Sequence, residues 1–93
     1  MRPLVKQHTT CFEEIEADCR EDFRGRFQDV GYTYLQFAPA YRYGHSLADN
    51  ERYRGKDWES VKAEAFLEWE SENPATWPQI HEAVRYAFCN AAL

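Results

Sequence analysis

No apolar run in this chain approaches the roughly 18 residues that a membrane-spanning helix needs, so no membrane partner is expected. The opening residues, MRPLVKQHTT, contain no long apolar block, and no secretory signal is expected there. Cysteine is scarce: the three present are an odd number with no CxxC spacing. That excludes a disulfide framework and fits a reduced, cytoplasmic setting. Zinc sites show close ligand pairs such as CxxC or HxxxH, and none occurs, so no metal or other cofactor is expected. GxSxG, a glycine-rich phosphate loop and HExxH are all missing, so no catalytic residue can be named. Ser46 adjoins His45, but helical neighbours point about 100° apart and cannot form a dyad. Cations are outnumbered, 11 Lys and Arg against 16 Asp and Glu, for a net charge of −5. Holding nucleic-acid phosphates takes clustered cations, so no direct nucleic-acid contact is expected.

What the chain does contain is ring area. Of its 93 residues 44% are apolar and 16% aromatic. A domain this short must fill its core densely, and large rings bury much area per residue. No alternating strand pattern of useful length appears. The periodicity is helical, and it predicts one all-α domain of four helices over 10–93, with a flexible arm at 1–9.

Phe12, Ile15, Cys19, Phe23 and Phe27 form one stripe of a first helix over about 10–28. Thr9 or Thr10 would cap it, and Glu13, Glu14, Asp18, Glu21 and Asp22 would form a solvated outer face. Gly31 ends this unit. A short extra turn, YLQF, follows Thr33 and stops at Pro39, because proline starts helices and breaks their interiors. The second helix then runs from 39 to about 48 with Tyr41, Gly44, Leu47 and Ala48 inward. Gly44 should face a large ring. Asp57 caps a third helix over 58–72, whose stripe is Trp58, Val61, Ala65 and Trp69 with Phe66 at its edge. Thr76 and Gln79 form a capping box for the last helix. Its stripe is Trp77, Ile80, Val84, Ala87, Phe88 and Ala91.

Residues 40–58, AYRYGHSLADNERYRGKDW, concentrate aromatic and cationic groups. Residues 42–56 carry four cations against two anions, a local +2, which leaves −7 on the rest of a −5 chain. Arginine stacks on rings and forms paired bonds to carboxylate or phosphate. One reading makes Arg42, Tyr43, His45, Arg52, Arg54 and Lys56 a small-ligand or phosphate site. The other has the arginines pair with the acidic third helix and fasten the loop to it.

The stretch PAYRYGHSLADNERYRGKDW, followed by LEWESENPATWPQIHEAVRYAF, resembles a helical domain family of uncharacterised bacterial proteins. Its pattern is PAYRYG, RYxGxxW, PxTW and a final AVRYAW-like helix. The matching residues are Pro39 to Gly44, Arg52, Tyr53, Gly55, Trp58, Trp69, Pro74, Thr76, Trp77 and Ala83 to Phe88. With DFRGRF and GYTYLQF upstream, the resemblance spans about 20–90. It implies a loose association with stress responses and no particular reaction. The chain departs from the pattern at Phe88, where tryptophan is usual, and at Phe66 and Leu67, where charged residues are expected.

Leu67 lies opposite the Trp58 stripe, which makes it an exposed apolar outlier. Together with Tyr86 it marks a candidate partner-binding face. The leading expectation is therefore a non-enzymatic interaction domain that binds a protein partner or itself. The alternatives are the ligand site above and a virus-encoded acidic inhibitor of a nucleic-acid-binding host protein.

Overall fold

The computed structural model describes residues 12–27, 29 and 31–91. The expected arm at 1–9, the caps Thr9 and Thr10, and Cys11 lie outside them. The described residues form four α-helices: α1 (Phe12–Arg26), α2 (Tyr34–Asp49), α3 (Trp58–Glu72) and α4 (Trp77–Ala91). The all-α class and the four helices are as the periodicity predicts.

In α1 the stripe Phe12, Ile15, Cys19 and Phe23 is buried, and Phe27 packs partly buried beside it. The outer face is acidic with one exception. Asp22, expected in solvent, has a side chain only 7% exposed. It accepts a 2.8 Å hydrogen bond from the Tyr41 hydroxyl of α2 and a 2.6 Å bond from Arg26 Nε. A carboxylate can leave water when hydrogen bonds replace its hydration.

The turn before Pro39 is the first part of α2, not a separate element. Pro39 lies inside the helix. It removes one donor, which would have reached the Leu35 carbonyl one turn earlier. Leu35 is 77% exposed, so water can reach that carbonyl. The start of α2 is held by Gln36, whose side-chain oxygen accepts from the Thr33 backbone N–H at 2.7 Å.

The main packing interface joins α2 to α4. On α2 the buried residues Ala40, Gly44 and Ala48 recur at every fourth position, as do Ala83, Ala87 and Ala91 on α4. Two rows of small residues let the backbones approach closely. At Gly44 no ring fills the space, contrary to expectation. A Cβ there would lie 2.1 Å from the Val84 carbonyl oxygen and 3.0 Å from the Ala87 Cβ. The glycine is filled by the backbone of α4 itself.

The α3–α4 junction departs from the sequence reading. Asp57 caps α3 as expected, accepting from Ser60 N–H at 3.0 Å. At the start of α4, however, Thr76 forms no capping box. Its hydroxyl donates to the Asn73 carbonyl at 2.6 Å and accepts from Trp69 Nε1 at 2.7 Å. The cap comes from α3 instead. Glu70 accepts from the backbone N–H of Ala75 at 2.6 Å and of Trp77 at 2.9 Å. Ala75 sits at φ 67°, a left-handed turn that aims these donors back at Glu70. The bonds from Ala75 and then Trp77 hold the Glu70 carboxyl below the usual carboxylate range.

Three outcomes are expected. Gly44→Ala removes a helix-weakening glycine, which is worth about 1 kcal/mol, but forces α4 away. The net destabilisation is about 2 kcal/mol or more, a fall of roughly 10 °C in thermal melting. Gly25→Ala, with open space around it, raises stability by up to about 1 kcal/mol. The Glu70 cap is complete above the ordinary carboxylate pKa of roughly 4.3 and is lost as pH falls through its lower folded value. Glu70→Gln thus lowers the Tm at neutral pH, and its difference from wild type closes as the pH falls through that lowered value.

Candidate functional site

The three tyrosines of residues 40–58 all serve as inter-element anchors. Each projects its ring into the core or its wall and donates a hydrogen bond from its hydroxyl to a carboxylate. Tyr41 is fully buried and bonds Asp22 of α1. Tyr43 reaches α3, donating to Glu68 at 2.6 Å with the Ala65 carbonyl at 3.3 Å. Tyr53, on the loop before α3, donates to Glu64 at 2.8 Å. Burial first, and then these carboxylates, push the Tyr41 and Tyr43 phenols well above the usual tyrosine range. Tyr34 is pushed up to about 12, by burial and then by Glu16.

The cations of the stretch fall into two groups. Arg42 lies over the Phe12 ring of α1, 4.5 Å from its centroid, and His45 meets the same ring edge-on at 5.9 Å. Arg52 instead pairs with Glu64 of α3 at 3.6 Å. Lys56 lines a small hollow with Arg52, Tyr53, Ser60 and Glu64. Arg54 donates to the Asp49 carbonyl at 3.2 Å. Arg42 and His45 therefore belong to the α1 side, and Arg52 and Lys56 to the α3 side. The loop is fastened to α3 mainly by Tyr53 and Glu64, with Arg52 adding an exposed ion pair.

The apolar outliers are clearer. Leu67 is 66% exposed and Phe66 41%. Phe66 meets Trp77 of α4 edge-on at 5.9 Å, and the two rings wall a shallow groove of about 490 Å³ with Lys62, Ala63, Pro78 and His81. Leu67 borders the neighbouring hollow formed by Arg52, Tyr53, Glu64 and Glu68. An apolar strip thus crosses from α3 to the start of α4. Tyr86 is not part of it. It lies half-buried, edge-on to Tyr41 at 6.3 Å.

Sequence reasoning did not anticipate a cleft of about 230 Å³ lined by Gln36, Phe37, Pro39, Trp69, Gln79 and Ile80. Its walls come from three helices distant in sequence, so no local spacing signals it. Leu35, 77% exposed, was likewise hidden within the segment read as a separate turn. Cys19 is buried, and burial and then Asp22 push its thiol up to about 12, which keeps it an unreactive core group. Among the described residues, no three His, Cys, Asp or Glu side chains converge as a metal site would require. No helix among them is long and apolar enough to cross a membrane.

Comparisons with protein-family models, curated proteins and solved structures return no match for this chain.

The anchoring roles predict an order of effects. Tyr43→Phe removes a hydrogen bond to a charged acceptor and costs about 1–2 kcal/mol. Arg52→Ala breaks only an exposed ion pair and costs less than about 1 kcal/mol. Urea unfolding of both variants checks the order.

Proposed function

We propose that this chain is a non-enzymatic protein-interaction domain and that the outer face of α3 is its contact surface. The observation that carries this reading is the adjacent pair Phe66 and Leu67. Both project from a helix whose inner face is already filled by Trp58, Val61 and Ala65. Single exposed apolar side chains are ordinary. Here Phe66 adjoins Ala63, Trp77 and Pro78 in one groove and Leu67 stands exposed next to it in sequence, which is the kind of surface that marks an interface. The acidic surroundings add selectivity for partners of opposite charge. The stress association implied by the family resemblance belongs to this reading and rests on the motif residues alone.

Leu67→Glu tests it. The side chain is exposed, so melting should change by only a few degrees, while any specific partner captured from native lysate by the tagged wild type should be lost. Identical captures from wild type and variant, in a chain that also shows no self-association, would sink the proposal.

A further inference from the structure

A recess stays open between α2 and the second half of α3. The third helix packs on α4 rather than closely on α2, and Tyr43 bridges the gap with its side chain. The recess measures about 320 Å³ and is lined by Pro39, Tyr43, Glu68, Trp69, Glu72 and Asn73. The Tyr43 and Trp69 rings meet there at 5.4 Å, tilted by 50°, and form its apolar wall. Pro39, Trp69 and Asn73 also wall the cleft of about 230 Å³ described above, so the two recesses adjoin. No lysine or arginine lines either one.

The polar groups of this recess are unbalanced. Its donors are spent on the protein: the Tyr43 hydroxyl on Glu68 at 2.6 Å, Trp69 Nε1 on the Thr76 hydroxyl at 2.7 Å, and the Asn73 amide on the Trp69 carbonyl at 3.4 Å. What remains accepts. Glu68 gives one oxygen to Tyr43 and retains acceptor capacity on the other. Among the described residues, Glu72 makes no hydrogen bond or ion pair. After burial and Glu68, the charge of Glu72 also raises the Tyr43 phenol, which puts both carboxylates at one corner. Glu64, Glu68 and Glu72 recur at every fourth position of α3, where like charges repel, and Arg52 pairs with the first. Glu72 ends the helix, at the negative pole of its dipole, and no basic residue in the last turn offsets it. The recess thus combines ring faces, open acceptors and uncompensated negative charge.

We infer that this recess binds a guanidinium group, stacked on the Trp69 ring with its N–H edge turned to Glu68 and Glu72. Such a cation is planar and weakly hydrated, stacks on aromatic faces and donates in its own plane to carboxylates. An ammonium is a compact, strongly hydrated charge that would use the carboxylates but not the plane of the ring. A bare metal ion would need converging ligands, and the described residues offer no such set. The indole bond to Thr76 sets the ring orientation before any ligand arrives, which lowers the cost of binding. This site lies on the α2 side of α3, does not use Phe66 or Leu67, and stands whether or not that face binds a partner.

Titration of the full chain with ethylguanidinium chloride, followed by amide and indole NMR shifts, tests this. Saturable shifts should centre on Trp69 and Asn73, with a Kd on the order of 1 mM for so small a ligand, and should weaken in high salt. Propylammonium, of equal charge, should bind about fivefold more weakly. Glu72→Gln removes a side chain that makes no local bond, so the fold is retained, and it should weaken binding by about fivefold. Glu68→Gln with Glu72→Gln should abolish it, with circular dichroism confirming a folded chain. No saturable shift at Trp69 up to about 50 mM would overturn the inference, as would equal binding of propylammonium or a double variant that binds like wild type. The capped peptide acetyl-Gly-Arg-Gly-amide separates the two sources of a guanidinium. Peptide binding about tenfold tighter than ethylguanidinium assigns the site to an arginine of a protein partner, and equal or weaker binding assigns it to a free small guanidine.

Discussion

The close approach of α2 and α4 at Gly44 governs the rest of this molecule. Backbone meets backbone there, with the Val84 carbonyl where a side chain would otherwise stand. The contact cannot be reproduced by a larger residue, and it sets the distance between the two helices on which α1 and α3 are placed. Once α2 and α4 are this close, the large rings cannot lie between them. They move to the flanks. Phe23 and Phe37 pack 5.4 Å apart toward α1, and Trp58 packs against Phe88 at 5.7 Å toward α3. The aromatic content thus reflects a core with a thin centre and bulky sides, and dense packing of this kind leaves little room to relax.

Hydrogen bonds from tyrosine to carboxylate then join the flanking helices to that centre. A tyrosine ring buries area while its hydroxyl reaches the edge of the core. A carboxylate there can remain charged if donors replace water. Asp22 does so most completely, receiving Tyr41 and Arg26 together. Arg26 in turn lies 3.9 Å from Glu82 of α4, which ties α1, α2 and α4 into one polar network. On the other side, Tyr43 and Tyr53 hold α3 through carboxylates that are more exposed, and Trp69 and Glu70 tie its end to α4. These bonds engage Glu64, Glu68 and Glu70 and leave Leu67 uncovered.

The periodic elements were legible in the sequence because a helical stripe is a local signal. Phe12, Ile15, Cys19 and Phe23 lie one or two turns apart, as do Trp58, Val61 and Ala65, and all are buried. Leu67 was legible for the same reason, since it lies opposite a stripe already assigned to the core. The failures involved partners distant in the chain. Nothing near Gly44 says that Val84 will meet it. Nothing near Thr76 says that its hydroxyl will be taken by Trp69 and its capping role by Glu70. Asp22 lies on the acidic side of α1 by its spacing and is drawn inward only by Tyr41. Pro39 misled for another reason: the rule that proline breaks helices concerns a lost donor and a steric clash, and one lost bond beside an exposed Leu35 is a small penalty. The cationic stretch was readable as composition but not as geometry, because Arg42 turns to α1 while Arg52 turns to α3.

The same distinction bears on function. A helix that only packs needs one apolar face, and α3 has that face in Trp58, Val61 and Ala65. Its remaining surface would be better soluble if it were charged throughout. Instead, Phe66 and Leu67 stand in water on a scaffold that gains little from them, apart from the contact of Phe66 with Trp77. Exposed leucine brings no folding benefit that a lysine or glutamate would lack, since at 66% exposure most of its area is never removed from solvent. Its area is removed from water only if another surface covers it. Folding accounts for the inside of this helix, and the exposure of Leu67 is the observation on which the proposed interaction rests.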